Sequence, residues 1–373
     1  MRIVHVVDCM EVGGAETLVL QMCYLQREQG HDPRVYAVGN LGALGEKMQR
    51  EGFVVQACLG PNLLAGTRNF FRIFKELKPD VVHLHNPTPT VYAALAARVT
   101  GVPRIVSTRH SLVAPPRRLI VELKYALAAG FCDWIVGICD ATVNNIKSVH
   151  SIPARKIVRV YNGAAHVQRV AREHWPPKNG FTLVYVGRLE SVKNHALLLN
   201  AFHAALNSIP DLRLWMVGDG SQRKTLESLA AELGILTQVT FWGQQLIVAP
   251  FYSAADAFIM SSISEGLPIS LLQALSLGLP AIVTDVGGMA EVVRLAQAGF
   301  TVPVTDPKAM TAAILRLASS DVERKQFSIN AEEAFHSLFS LQMMVDAYMD
   351  LYRFAPRFHR YSRDKELPGR TRH

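Results

Sequence analysis

The stretch of this chain that is most informative about chemistry lies between Met260 and Thr284. A β-rich run is followed here by a polar loop containing Glu265, an apolar run, a Gly-Leu-Pro turn and a second β-rich run. The pattern predicts strand, loop, buried helix and strand, with Pro268 in the first helical turn, so the helix is expected to begin just after Glu265. The N–H groups and the dipole at such a helix start make a site for an anion such as a diphosphate.

Two basic residues follow the first β-rich run of the second half of the chain. Arg188 offers a planar guanidinium and Lys193 a mobile ammonium group. Together they are suited to neutralising a diphosphate leaving group. The alternative is a pair of solvated surface cations, because basic side chains are mostly exposed.

A Gly-Gly turn and three histidines stand out in the first half. Gly13 and Gly14 lie between a predicted strand and a predicted helix, where a ligand can approach the backbone. The absence of a Gly-x-Gly-x-x-Gly spacing argues against a dinucleotide-dependent oxidoreductase. His110 lies just beyond another predicted strand. His83 and His85 alternate on one strand face, but two ligands without a third do not make a metal site, so no metal is expected.

In their order and spacing, these segments resemble the retaining, nucleotide-sugar-dependent glycosyltransferases of family 4, also called glycosyl transferases group 1. The resemblance extends from about Gly13 to Glu291 and includes the Gly-Arg-x4-Lys motif that ends at Lys193, with Asn194 in place of the more usual glycine. It implies an α/β protein of the GT-B fold, in which two Rossmann-like, doubly wound parallel-sheet domains face a central cleft.

The resemblance also implies roles for individual residues. In that family a loop glutamate, here Glu265, contacts hydroxyls of the donor sugar, and a glutamate eight residues later holds the ribose. That second position is Gln273, which can still bind ribose through an amide that both accepts and donates hydrogen bonds. The catalytic residues carried over are His110, Glu265, Arg188 and Lys193. The donor-binding residues carried over are Gly13, Gly14, Arg188, Lys193, Glu265, Gly266, Leu267, Pro268, Ile269 and Gln273. We also expect the loop after Gly243, with Gln245, to contact the nucleobase.

Alternating β-rich and helical segments run through both halves of the chain, which predicts parallel sheets covered by helices. The alternation lapses in a polar, proline-bearing stretch at 168–180. We interpret this stretch as a linker between an acceptor-side domain at 1–167 and a nucleotide-sugar-binding domain at 181–340. The spacing at 341–355 predicts a final helix, which in the resembling family returns to the first domain.

Composition narrows the class of protein. With 373 residues, 49% of them hydrophobic, the chain can build a large core, and its length favours two domains. Five cysteines without a Cys-x-x-Cys pair fit reduced thiols. The N-terminus is too β-rich for a signal peptide, and no stretch offers about eighteen uncharged apolar residues. A cytoplasmic location is therefore expected.

The formal net charge of +8 is unevenly distributed. A basic tail at 356–373 is either a solvated end or a segment that binds an anionic membrane surface. Arg117 and Arg118 precede an apolar helical face that either rests on such a membrane or is an ordinary half-buried helix. The chain shows no nucleic-acid-binding motif, so nucleic acid is not expected as a partner.

Together the residues and the resemblance predict a retaining glycosyltransferase that needs no cofactor. It would move a hexosyl group from a nucleotide diphosphate sugar to a sugar or lipid-linked hydroxyl acceptor, with UDP-sugars favoured over GDP-mannose. The product would be a polysaccharide, a glycolipid or a cell-envelope glycan. Two alternatives stay open: a nucleotide-sugar epimerase on the same scaffold, and a non-catalytic nucleotide-sugar binding protein, which the glutamine at 273 suggests.

Overall fold

The computed structural model describes residues 1–58, 60, 62–112, 119–149 and 152–354. The chain divides into two compact units, Met1–Gly163 with the segment that starts at Leu341, and Ala164–Ser340. The arginines at 117 and 118 and the basic tail at 356–373 lie outside the described residues. Within the described ranges, no helix combines the length and the apolar character needed to cross a bilayer.

The first unit contains a parallel sheet of seven described strands. The strands are β1 (Arg2–Val7), β2 (Asp32–Ala37), β3 (Val54–Ala57), β4 (Val81–His85), β5 (Arg104–Arg109), β6 (Trp134–Gly137) and β7 (Ile157–Arg159). Their order across the sheet is β3-β2-β1-β4-β5-β6-β7. The order reverses between β1 and β4, as in doubly wound folds. The near-continuous apolar runs of the central strands are explained by burial on both faces.

Six α-helices in the described part of this unit connect these strands. They are α1 (Gly14–Glu28), α2 (Gly42–Arg50), α3 (Leu63–Leu77), α4 (Pro87–Val99), α5 (Leu119–Ala129) and α6 (Asp140–Val149). One sheet face packs Val82 and Leu84 in a core with Phe70 and Phe74 of α3. Because side chains alternate along a strand, the opposite face carries the residues between them, including His83.

The second unit contains a parallel sheet of six described strands in the order β10-β9-β8-β11-β12-β13. The strands are β8 (Thr182–Val186), β9 (Arg213–Val217), β10 (Val239–Gly243), β11 (Ala257–Met260), β12 (Ala281–Thr284) and β13 (Gly299–Val302). The helices are α7 (His195–Leu206), α8 (Arg223–Glu232), α9 (Ala249–Ala254), α10 (Ile269–Ser276), α11 (Gly287–Ala296), α12 (Pro307–Ser319) and α13 (Asp321–Ala334). The strand order reverses between β8 and β11.

The chain passes between the units at two adjacent positions. The Ala164 N–H donates a hydrogen bond to the Phe339 carbonyl oxygen at 3.0 Å, and Ala164 also forms a parallel bridge with Ser340. The last described helix, α14 (Leu341–Arg353), belongs to the first unit. There its Tyr348 and Tyr352 are buried.

Candidate active site

Two loops of the second unit meet beyond the carboxyl ends of β8 and β11. These strands are hydrogen-bonded neighbours, so the segments that leave them lie side by side. The Lys193 ammonium donates a short hydrogen bond to the Glu265 carboxylate, and the Ser262 hydroxyl donates to the same oxygen at 2.9 Å. Only 15% of the Lys193 side chain and 14% of the Glu265 side chain are exposed. A cation and a carboxylate are thus placed together in a setting with little water.

Ser261 fixes the loop that carries Lys193. Its hydroxyl oxygen lies 2.9 Å from the carbonyl oxygen of Lys193 and 3.0 Å from that of Asn194, so it can donate to either. The Ile263 N–H also donates to the carbonyl oxygen of Val192 at 2.9 Å. The backbone that carries the lysine is therefore fastened to the backbone that carries Glu265. Sequence reasoning missed both serines, although two polar residues directly after an apolar strand were a signal.

The backbone conformation explains the asparagine that follows the lysine. Asn194 has φ 50° and ψ 44°, in the left-handed region, and it directly precedes α7. Asparagine is several-fold enriched there among non-glycine residues. It can therefore occupy the position where glycine is more usual.

A close approach of backbones supports the Glu265 loop from the β12 side. Gly287 has φ 51°, and a Cβ atom at this position would overlap the carbonyl oxygen of Glu265. The N–H of the next residue, Gly288, donates to the Gly266 carbonyl oxygen at 2.6 Å. The backbone after β12 thus contacts the Glu265 loop directly, and this approach requires glycine at position 287.

The predicted start of the following helix is wrong. Helix α10 begins at Ile269, whereas the sequence pattern predicts a helix start just after Glu265. Pro268 has φ −66° and ψ 130°, which is extended, so it lies at the N-cap and not in the first turn. Leu267 is buried. The first-turn N–H groups of Ile269 and Ser270 can donate hydrogen bonds to an anion, because they have no partner four residues earlier in the helix.

Gln273 lies on α10 beside a buried tyrosine. The Tyr252 hydroxyl donates to the Ser270 carbonyl oxygen at 3.0 Å and lies 3.5 Å from Gln273 Oε1. Burial raises the pKa of Tyr252 well above its usual value, so this hydroxyl keeps its proton. The amide oxygen of Gln273 therefore faces a hydroxyl that can donate a hydrogen bond.

Two predicted site residues of the second unit are not part of the Lys193 and Glu265 cluster. Arg188 is exposed, and its guanidinium forms no hydrogen bond or close ion pair within the described ranges. Gln245 is also exposed, and its amide donates to the carbonyl oxygen of Trp242 at 2.8 Å. Both side chains lie on the surface of their unit.

In the first unit, the predicted Gly-Gly turn begins α1. Gly13 is its N-cap in an extended conformation, with φ −154° and ψ 169°. A Cβ atom at Gly14 would meet nothing within 4 Å in the described structure. Open space therefore lies beside the start of the helix, and packing does not require glycine at position 14.

His110 follows β5 and is held by two neighbours. Its backbone N–H donates to the Asn86 side-chain oxygen at 3.1 Å, and its Nε2 lies 3.1 Å from Nδ1 of His85. The Nδ1 atom of His110 is buried and has no hydrogen-bond partner among the described residues. Burial lowers the pKa of His110 to about 4, so the ring is neutral at pH 7.

A third histidine joins the two that alternate on β4. His5 of β1 aligns with His83 of β4, and ring nitrogens of His5, His83 and His85 lie within 4.8 Å of one another. The sequence argument counted two histidines without a third and was therefore incomplete. Its missed signal was a polar residue inside an otherwise apolar strand.

Hydrogen bonds engage the ring nitrogens of these three histidines. His83 Nδ1 lies 2.7 Å from the Tyr352 hydroxyl, and His83 Nε2 lies 2.7 Å from the Thr108 hydroxyl. His5 and His85 bond to each other at 3.0 Å. Ring nitrogens of the cluster thus have hydrogen-bond partners among side chains of this unit.

Two α/β units that each contain a parallel sheet, with a cationic loop at a strand-order reversal, are features of the GT-B fold of glycosyltransferases. Two family models match in succession: "Glycosyltransferase Family 4" over residues 12–166 and "Glycosyl transferases group 1" over residues 168–334. The chain belongs to this glycosyltransferase family.

Individual relatives match most of the chain. A protein named as glycosyltransferase EpsF in Bacillus subtilis is 29% identical, with 95% of this chain and 97% of the relative covered. The UDP-Gal:alpha-D-GlcNAc-diphosphoundecaprenol alpha-1,3-galactosyltransferase of Escherichia coli is 27% identical, covering 81% of this chain and 83% of the relative. Among solved structures, Anabaena HepE in complex with UDP superposes with a TM-score of 0.84 at 16% identity, over 94% of this chain and 99% of that one.

Proposed function

We propose that this protein is a retaining glycosyltransferase that moves a hexosyl group from a UDP-sugar to a hydroxyl acceptor. The observation that carries the proposal is the Lys193 and Glu265 pair beside the start of α10. It brings together a cation for a diphosphate, a carboxylate for sugar hydroxyls and free N–H groups for phosphate oxygens.

In this proposal the second unit binds the donor. Lys193 exchanges Glu265 for a diphosphate oxygen, which frees the carboxylate to accept hydrogen bonds from the sugar. Arg188, whose guanidinium is exposed, adds a second cation to the diphosphate. Gln273 binds the ribose, and Gln245 contacts the nucleobase. The Gly266–Ile269 loop lines the sugar and phosphate site.

Catalysis is mainly electrostatic. Negative charge develops on the departing diphosphate, and Lys193, Arg188 and the first N–H groups of α10 stabilise it. Because these groups supply positive charge, the reaction is proposed to be metal-independent. The acceptor attacks the face that the diphosphate leaves, and a phosphate oxygen takes its proton. From the first unit, Gly13 and Gly14 approach the donor phosphates, and His110 contacts the sugar.

The acceptor is proposed to be a sugar or lipid-linked hydroxyl of a polysaccharide or cell-envelope glycan. The printed name of the E. coli relative, a transferase acting on a diphosphoundecaprenol-linked sugar, supports this class. The exposed apolar side chains of α5, with Ile120, Leu123 and Leu127 each more than 60% exposed, support contact with the inner face of a membrane from the cytoplasm.

The direct test is to incubate the protein with UDP-glucose, UDP-galactose, UDP-GlcNAc and GDP-mannose. We expect one UDP-sugar to raise the melting temperature, because a ligand that binds only the folded state stabilises it. With GlcNAc-diphosphoundecaprenol in anionic vesicles, we expect UDP release and a product that keeps the anomeric configuration of the donor.

Each alternative has a distinct outcome in this assay. Inversion of a sugar stereocentre in the free donor, without acceptor, would indicate an epimerase. Binding without consumption of any donor, across a panel of acceptors, would indicate a binding protein. No stabilisation by any nucleotide sugar would contradict the proposed donor class.

A smaller effect is expected at the ribose position. Replacing Gln273 by Glu supplies an acceptor-only carboxylate for both ribose hydroxyls and keeps an oxygen facing the Tyr252 hydroxyl. We expect UDP to bind Gln273→Glu as well as or up to about tenfold more tightly than wild type, since one hydrogen bond to a charged group contributes about 1.5 kcal/mol. Isothermal titration with UDP measures this, and a large loss of affinity would show that Gln273 does not face the ribose.

A further inference from the structure

A chain of hydrogen bonds runs through the first unit from α1 to the end of β5. Gln26 Oε1 lies 2.9 Å from His5 Nε2, His5 Nδ1 lies 3.0 Å from His85 Nε2, and His85 Nδ1 lies 3.1 Å from His110 Nε2. His5, His85 and Gln26 are buried, with at most 2% of each residue exposed. The chain ends at His110 Nδ1, the buried atom without a partner in the described structure.

The three rings are neutral at physiological pH. Burial lowers the pKa of His5 and of His110 to about 4, and that of His85 well below its usual value. A neutral imidazole carries one N–H donor and one lone pair. Every N···N contact in the chain therefore needs a hydrogen on one side and a lone pair on the other.

The amide at one end fixes the direction of all these bonds. The oxygen of Gln26 can only accept, so His5 must carry its hydrogen on Nε2 and present a lone pair at Nδ1. His85 must then donate from Nε2, and His110 must donate from its own Nε2. The free Nδ1 of His110 is left as an acceptor.

We propose that Gln26, acting through His5 and His85, locks His110 in the Nε2–H tautomer, so that His110 Nδ1 accepts a hydrogen bond from a hydroxyl of the bound ligand. Gln26, His5 and His85 are positioning residues, because they act through His110. The ligand hydroxyl is that of the donor sugar, a part of the inference that rests on the proposed function.

The tautomers can be measured without any ligand. We expect long-range ¹H–¹⁵N correlation spectra of ¹⁵N-histidine-labelled protein at pH 7 to show His5, His85 and His110 all as Nε2–H tautomers. The reverse orientation of the Gln26 amide predicts Nδ1–H at all three rings, so observing that pattern would overturn the proposal.

A substitution at the far end of the chain tests causation. Gln26→Met keeps the side-chain length and removes the acceptor, so the bonds can run in either direction, and we expect a mixture of His110 tautomers. Gln21→Met is the matched control, because Gln21 lies on the same helix but is not a member of this chain of hydrogen bonds. An unchanged His110 tautomer in Gln26→Met would refute the coupling. The wild-type spectrum still decides the direction if this variant fails to fold.

An ion held by His5, His83 and His85 is the competing explanation of the cluster. Dialysis against EDTA separates the two. Spectra that are unchanged by EDTA are expected for a hydrogen-bonded chain, whereas a change in the tautomers would show that a metal sets them.

The role toward the ligand is tested with the donor. We expect UDP-glucose to shift the His110 Nδ1 signal, and Gln26→Met to raise KM for the donor about twofold at nearly constant kcat, because only about half of the His110 rings then have an accepting Nδ1. If UDP-glucose binds by thermal shift but leaves Nδ1 unchanged, the hydroxyl contact is wrong. If no nucleotide sugar binds, the proposed function fails while the tautomer measurement still stands.

Discussion

Replacing Lys193 by Ala is expected to lower kcat by about 10²- to 10³-fold, the effect of removing one group that stabilises transition-state charge. The ammonium is nearly buried beside Glu265, where interactions between charges are stronger than in water. The loss should appear in kcat at saturating donor, because the lysine matters most as negative charge develops on the leaving diphosphate. Steady-state kinetics of UDP release measures it.

The matched control is Lys178→Ala. Lys178 is a partly buried lysine of the same unit that forms an ion pair with Asp256 at 2.8 Å, in a different part of the structure from Glu265. We expect its kcat to stay within about twofold of wild type, because losing a partly exposed ion pair alters stability by about 1 kcal/mol and leaves the site intact. A Lys193→Ala enzyme with wild-type kcat, when folded as judged by circular dichroism, would remove the central element of the proposed mechanism.

The second large effect is a loss of stability in mild acid. His5 and His110 have pKa values of about 4 in the folded protein, lowered by burial from the usual 6.5. Between these pH values the unfolded chain binds more protons, so unfolding is favoured as pH falls through 6.5 towards 4. At pH 5, each of the two residues is expected to lower the free energy of unfolding by about 2 kcal/mol relative to pH 7.

Urea unfolding at pH 7 and pH 5 measures this effect. His5→Asn removes one buried titrating ring, so we expect its pH-dependent loss to be smaller than that of wild type by about 2 kcal/mol. His174→Asn is the control, since the His174 side chain is 65% exposed. Equal losses in wild type and His5→Asn would show that this histidine is not buried in its neutral form.

Local sequence signals predicted most of the fold. The apolar run at 182–186 and the polar loop after it predicted β8 and the basic segment that follows, because burial on both faces leaves a continuous apolar pattern. The same reasoning did not identify β3 or α3. The four-residue β3 has two exposed residues, so its pattern carries little hydrophobic signal.

The parts of the site that sequence reasoning missed depend on long-range contacts. His5 and His85 are 80 positions apart, and only the pairing of β1 with β4 brings their rings together. Similarly, Ser261 reaches the carbonyl oxygen of Lys193, 68 positions earlier, because β8 and β11 are neighbours. Composition and spacing carry no information about which strands pair, so His5 appeared to be an ordinary residue of β1 and Ser261 an ordinary residue after β11.

The adjacent start and end of the second unit have an evolutionary consequence. Since Ala164 is hydrogen-bonded to Phe339, the 164–340 segment behaves as an insertion whose two ends meet. Segments with closely spaced ends are tolerated well as inserts in a host domain. Recombination can therefore replace this segment as one continuous stretch of gene. If the function proposed above holds, such a replacement would exchange the donor-binding unit and leave the other unit unchanged.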